Sequence, residues 1–213
     1  ALEKEHPFIE HFRFVKQFED EHTVAKQTIP SPAQFLAQFV FPMNRPGTFK
    51  IYDSEESLVQ DIVAGYKKFI DALYQEGCRN LQLDDCTWGM YADPKGPAFL
   101  GVKAEEIQHL QEISRDINNR VLDLCPKDLT VNTHICRGNF HSTYACEGSY
   151  DAVAEELFVK EHPNAYFLEF DDARSGGFES LVKVREGKKV VLGLITTKSP
   201  VLENKEAVIK RIH

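Results

Sequence analysis

The chain has 213 residues, enough to bury a full core, and length alone allows one large domain or two small ones. With 42% hydrophobic residues, 27% charged residues and 15 Phe it reads as an ordinary globular protein rather than a disordered or fibrous one. A net charge of -8 without a basic run excludes a phosphate-binding stripe, so neither nucleic acid nor an anionic membrane is an expected partner.

No apolar stretch reaches the roughly 20 residues of a membrane span. The opening ALEKEHPFIEHF lacks the charged-then-apolar pattern of a signal peptide, so a cytoplasmic location is expected. Five scattered cysteines (Cys78, Cys86, Cys125, Cys136, Cys146) point to reduced thiols rather than a disulfide framework, with metal binding by one or two of them open.

In chain order, Val24 to Ile29 is a weak strand candidate that runs into Pro30-Ser31-Pro32. Asp53 and Glu56 have the spacing of a capping box; Leu58, Ile62, Tyr66, Phe69, Ile70 and Leu73 follow at helical spacing until Gly77. Asn80 to Leu83 then reads as a strand ending in Asp84-Asp85. Ile107, Leu110, Ile113, Ile117, Val121 and Leu124 mark a second helix closed by Pro126, and Leu129 to Ile135 a second clear strand. Tyr150, Val153, Ala154, Leu157 and Phe158 predict a third helix, Ala165 to Leu168 a strand into Glu169, and Lys189 to Ile195 a last strand. This alternation predicts βα units on a parallel sheet, in a single domain over residues 1–213.

Ser31, Asp84-Asp85, His134-Cys136, Glu169 and Thr196-Lys198 all fall where a predicted strand ends, the edge at which α/β folds build their sites. His134 and Cys136 lie two apart on a strand, so both side chains point to one side and can grip one ion. Imidazole with thiolate suits zinc, and a catalytic site would add a third protein ligand. Glu169, at the end of the next strand, could supply that ligand or pair with Arg174; alternation favours Glu169 and Asp171 over Asp172. Asp84 or Asp85 could hold a substrate ammonium group, and Trp88 and Tyr91 could wall a pocket. Ser31, Trp88 and Arg174 join Asp84 as candidate substrate contacts.

Leu81-Gln82-Leu83-Asp84-Asp85, His134-Ile135-Cys136-Arg137-Gly138-Asn139 and Phe167 to Gly176 occur in that order. Together they resemble the catalytic domain of cobalamin-independent methionine synthase, and more closely its short single-domain relatives, from about Val24 onward. The resemblance implies a (β/α)8 TIM-type barrel, of the type shared with uroporphyrinogen decarboxylase. It implies a zinc cofactor on His134, Cys136 and Glu169, Asp84 on the amino group of homocysteine, and methyl transfer from a methyl-folate or another donor to the homocysteine thiol. The partners implied are small molecules, with a homodimer open.

Three departures accompany it. The family has a further zinc-binding cysteine in an Asn-x-x-Cys-Gly type motif, and no cysteine follows Lys198. The Ile-Gly-Ser or Val-Gly-Ser turn is also missing, and 213 residues fall short of the ~250 of a whole barrel, so the chain is expected to be a fragment, incomplete at both ends. Where the family has Asp-x-His-Ser-Pro, this chain has Thr196-Thr197-Lys198-Ser199-Pro200, which puts Lys198 at the position of the proton donor. An ordinary lysine, with a pKa of about 10.4, is a poor acid at neutral pH. Either Lys198 is a tuned acid or another methyl donor is used. A metal-free decarboxylase-type barrel and a non-catalytic relative are the alternative readings.

Overall fold

The computed structural model describes residues 6–213; residues 1–5, which open the stretch read as lacking a leader, lie outside the described residues. Helix α1 (Pro7–Lys16) buries Ile9 and Phe12. Strand β1 (Gln27–Pro30) passes directly into α2 (Pro32–Val40), and a one-turn α3 (Arg45–Thr48) leads to the long α4 (Glu55–Gln75). Strand β2 (Asn80–Asp84) is followed by the short α5 (Thr87–Ala92) and α6 (Gly96–Leu100), then by α7 (Ile107–Asp123) and β3 (Thr130–Ile135). Strands β4 (Ala165–Glu169) and β5 (Lys189–Gly193) and helix α8 (Lys205–Ile212) complete the order.

Two local expectations need correction. The cap of α4 is Ser54, not Asp53: Ser54 is extended and its hydroxyl accepts from the Ser57 amide at 3.1 Å, while the Ser57 hydroxyl accepts from the Ser54 amide at 3.3 Å. Glu56 points away and pairs with Arg120 of α7 at 2.7 Å. The third helix is a 3₁₀ turn (Tyr150–Ala152) followed by a wide π-type turn (Glu155–Lys160). Tyr166 explains how so irregular a segment is tolerated: its hydroxyl donates to the carbonyls of Leu157 and Glu161, both at 3.0 Å, which satisfies backbone groups that a regular helix would pair internally.

The five strands are all parallel and lie in the order β1-β2-β3-β4-β5, without the reversal that makes a switch point in doubly wound sheets. Among the described residues β1 and β5 are the edges, so what is seen is an open five-stranded sheet, where the sequence led us to expect a barrel.

Alternation assigns the two faces. Leu81, Leu83, Val131, Ile135, Tyr166 and Leu168 are buried in the apolar core with residues such as Ile70, Val121, Trp88, Leu157 and Phe158. Fully burying each large side chain contributes roughly 1.5–3 kcal/mol. Gln82, Asp84, His134, Phe167 and Glu169 lie on the opposite face and stay partly exposed, with Val191 42% exposed beside them. Lys26 crosses that face, its Nζ donating to Gln82 Oε1 at 2.8 Å and lying 4.2 Å from the Phe167 ring centre. Parallel sheets are normally covered on both faces. Here the polar face carries the candidate site.

Candidate metal centre

Strand register builds the site. Asp84 pairs with His134, and His134 with Phe167, so three adjacent strands end along one edge. The Ile135–Leu168 pair lies one step further along, which makes Cys136 and Glu169 neighbours at the next position. His134, Cys136 and Glu169 thereby each offer one ligand atom, and these atoms lie within 4.8 Å of one another.

Each of the three is oriented by the backbone around it. His134 Nδ1 lies 3.0 Å from the Phe167 carbonyl; a carbonyl only accepts, so Nδ1 carries the proton and the Nε2 lone pair is left for a ligand. The Gly138 amide donates to Cys136 Sγ at 3.3 Å, and the Arg137 amide to Glu169 Oε1 at 3.4 Å. Gly138 has φ +89, and a Cβ there would stand 2.6 Å from the Ala145 nitrogen, so the turn that aims its amide requires glycine.

The electrostatics favour a thiolate next to an imidazole. The hydrogen bond from Cys86 and the neighbouring His134 hold the Cys136 thiol far below its ordinary range against the opposing effect of burial, and the Cys86 thiol is correspondingly raised. Burial works against a charged His134, yet the Cys136 sulfur, the Phe167 carbonyl and Asp84 together raise its pKa. A nitrogen, a thiolate sulfur and a carboxylate oxygen converging with a fixed histidine tautomer fit a borderline-soft divalent metal such as zinc.

The remaining predicted residues divide. Asp84 stands at the open edge, its Oδ1 accepting from Gln82 Nε2 at 2.8 Å. Lys198 approaches the cluster, its Nζ 3.8 Å from Glu169 Oε2 and 3.9 Å from Asp171 Oδ2. Glu169 also pairs with Arg174, at 2.9 Å, so the two readings of Glu169 describe one network.

Three candidate substrate contacts lie inside the protein. Ser31 is fully buried as the N-cap of α2, its Oγ accepting from the Gln34 amide at 2.9 Å. Trp88 is 0% exposed and packs edge-on to Tyr91 inside the core instead of walling a pocket. The Arg174 side chain is 3% exposed, its two terminal nitrogens held by Glu169, Asp171 and Asp172.

Sequence reasoning named Cys86 only as one of five scattered cysteines and did not place it at the site, yet its thiol lies within hydrogen-bonding reach of Cys136. A signal was available, since Cys86 follows Asp84 by two residues as Cys136 follows His134. A cleft of about 490 Å³ lined by Leu36, Val40, Leu110 and Ser114 lies between α2 and α7 and shares no residue with this cluster.

No protein-family model matches the chain. It is 41% identical over 213 residues to YxjG and 40% identical over 210 residues to YxjH, both uncharacterized proteins of Bacillus subtilis (strain 168). These matches cover 97% and 98% of the chain, which spans about half the length of each relative, 53% and 54%. Among solved structures it is similar to a candidate vitamin-B12-independent methionine synthase from Listeria monocytogenes, with a TM-score of 0.73 and 31% identity over 98% of this chain and 57% of that one. A B12-independent methionine synthase from Shewanella sp. W3-18-1, solved in complex with selenomethionine, shares the fold at a TM-score of 0.66 and 18% identity, over 98% of this chain and 55% of that one. The chain is thus an α/β protein with a five-stranded parallel sheet, similar over part of their length to structures described as B12-independent methionine synthases.

Proposed function

We propose that this chain carries most of a zinc-dependent methyltransferase site that transfers a methyl group to the thiol of homocysteine. The observation that carries the reading is the convergence of His134, Cys136 and Glu169 ligand atoms within 4.8 Å at one sheet edge. The resemblance to methionine-synthase-like structures supports it. His134 Nε2, Cys136 Sγ and a Glu169 carboxylate oxygen would hold the ion. Bound there, zinc would favour ionisation of a thiol at neutral pH.

The chain's own groups would do the rest. Asp84, aligned in register with His134 and steadied by Gln82, would receive the ammonium group of the amino acid, which sets the distance from that group to the thiol. Lys198, facing Glu169 and Asp171, would hold the proton delivered to the leaving group of the methyl donor, a methyl-folate or another donor. Its partners are then small molecules, in keeping with the selenomethionine of the Shewanella structure. The unreversed strand order and the bare polar face support a sector of a (β/α)8 barrel. The further length of the relatives leaves room for closing strands and another ligand.

The test is elemental analysis of the wild type, His134→Ala and Cys136→Ser, followed by methyl-transfer assays with folate and non-folate donors. Stoichiometric zinc in the wild type and its loss in both variants is the expected result. A folded, metal-free wild type after growth and purification with zinc would sink the reading.

A further inference from the structure

The thiol of Cys86 lies beside the Cys136 sulfur, and strand register accounts for this. Asp84 pairs with His134 in the parallel β2–β3 ladder, and the Asp85 amide extends that ladder by donating to the His134 carbonyl at 2.8 Å. Cys86 and Cys136 are each two residues past the Asp84–His134 pair, just beyond the ends of β2 and β3, with Cys86 at the entry to α5. Paired strands lie about 4.8 Å apart where these two segments leave them, and Cα atoms joined by a disulfide lie about 4.4–6.8 Å apart. Both thiols are free and partly exposed, whereas Cys78 and Cys146 are buried. Cys125 is remote, its thiol donating to the Val121 carbonyl on the last turn of α7.

The geometry points to Cys86 and Cys136 as a reversible thiol pair, closed to a disulfide by a peroxide when the metal is absent and thereby excluding the metal from the site. In the first step the Cys136 thiolate attacks one peroxide oxygen, forming a sulfenic acid and releasing hydroxide. Cys86 sulfur then attacks the Cys136 sulfur, the S–S bond forms, and a second hydroxide leaves, to be protonated to water. In sum two thiols lose two electrons and two protons, and the peroxide is reduced to two waters. Bound metal would occupy the Cys136 lone pair and block the first step. The disulfide would in turn remove Cys136 from the ligand set. This competition rests on the zinc reading above; formation of the disulfide does not.

The metal-free chain is treated with limiting hydrogen peroxide, and intact mass and non-reducing peptide mapping are read for the wild type, Cys86→Ser and Cys146→Ser. Zinc uptake is then measured by competition with a chromophoric chelator before and after a phosphine reductant. Expected are loss of two hydrogens with a Cys86–Cys136 crosslink in the wild type and Cys146→Ser, none in Cys86→Ser, and zinc uptake lost on oxidation and restored by reduction. Zinc loading is expected to protect the pair. An absent crosslink, one involving Cys146, or unchanged zinc uptake by the oxidised chain would overturn the proposal, as would loss of zinc uptake in reduced Cys86→Ser, which would make Cys86 a ligand. A crosslink in a chain that never takes up zinc would overturn the zinc reading and leave the thiol pair standing.

Discussion

Arg174 shows how a single side chain governs the cluster. It contacts Glu169 at 2.9 Å and Asp171 at 2.7 Å while itself only 3% exposed, so it balances two carboxylates that would otherwise stand close together with little water. Arg174→Ala is expected to cost about 3 kcal/mol, because it leaves buried charge uncompensated, and urea denaturation at neutral pH reads the loss directly. A second residue acts through pH. Glu161 is fully buried and shares Asn118 with Asp85, the Asn118 Nδ2 donating at 3.1 Å and 2.8 Å respectively. Burial first, and the Asp85 charge second, push the Glu161 carboxyl well above the usual carboxylate range. Its folded-state pKa is therefore raised, so the unfolded chain releases that proton at lower pH than the folded one. Stability is expected to fall as pH rises above about 4.3, continuing until the folded carboxyl titrates. Glu161→Gln should flatten that decline while leaving stability near pH 4 little changed. Denaturant midpoints across pH 4–8 check it, and a variant that tracks the wild-type decline would refute it.

Among elements, α4 offers the sharpest test, because its start was misplaced by one residue. Ser54 and Ser57 exchange hydrogen bonds across the first turn, whereas Asp53 lies one residue outside it. Ser54→Ala is expected to cost about 1 kcal/mol, and Asp53→Ala less than about 0.5 kcal/mol, in parallel thermal and urea unfolding. The reverse order would restore the expected cap. The periodic cores of α4 and α7 and the four clear strands were legible because their apolar spacing is local and long. The Tyr150 segment carried the same spacing yet is not a regular helix. Apolar period reports which side chains face inward, not whether backbone carbonyls find i+4 partners or the Tyr166 hydroxyl.

At the scale of the molecule, one sheet face is covered by helices and the other bears the polar row that includes Asp84, His134 and Glu169. A ligand bound only by the folded arrangement stabilises it by mass action, roughly 2.7 kcal/mol at a hundredfold excess over the dissociation constant. Zinc addition is thus expected to raise the melting temperature of the reduced chain, reversibly on chelation. His134→Ala should abolish the rise, and an equal rise in that variant would place the binding elsewhere. Among the described residues, no helix is long and apolar enough to cross a membrane.

The sequence by itself determined the alternation of strands and helices, the shared direction of His134 and Cys136, and the acidic run from Glu169, because these depend on residues two to four positions apart. Tertiary structure decided which candidates meet. Register between β2, β3 and β4 brought Glu169 to Cys136 and Cys86 to the same sulfur, although 33 residues separate Glu169 from Cys136 and 50 separate Cys86 from it. It also withdrew Ser31, Trp88 and Arg174 from the open face, by capping, core packing and ion pairing in turn. A linear pattern shows which residues follow a strand, but not which of them find a partner inside the protein before any ligand arrives.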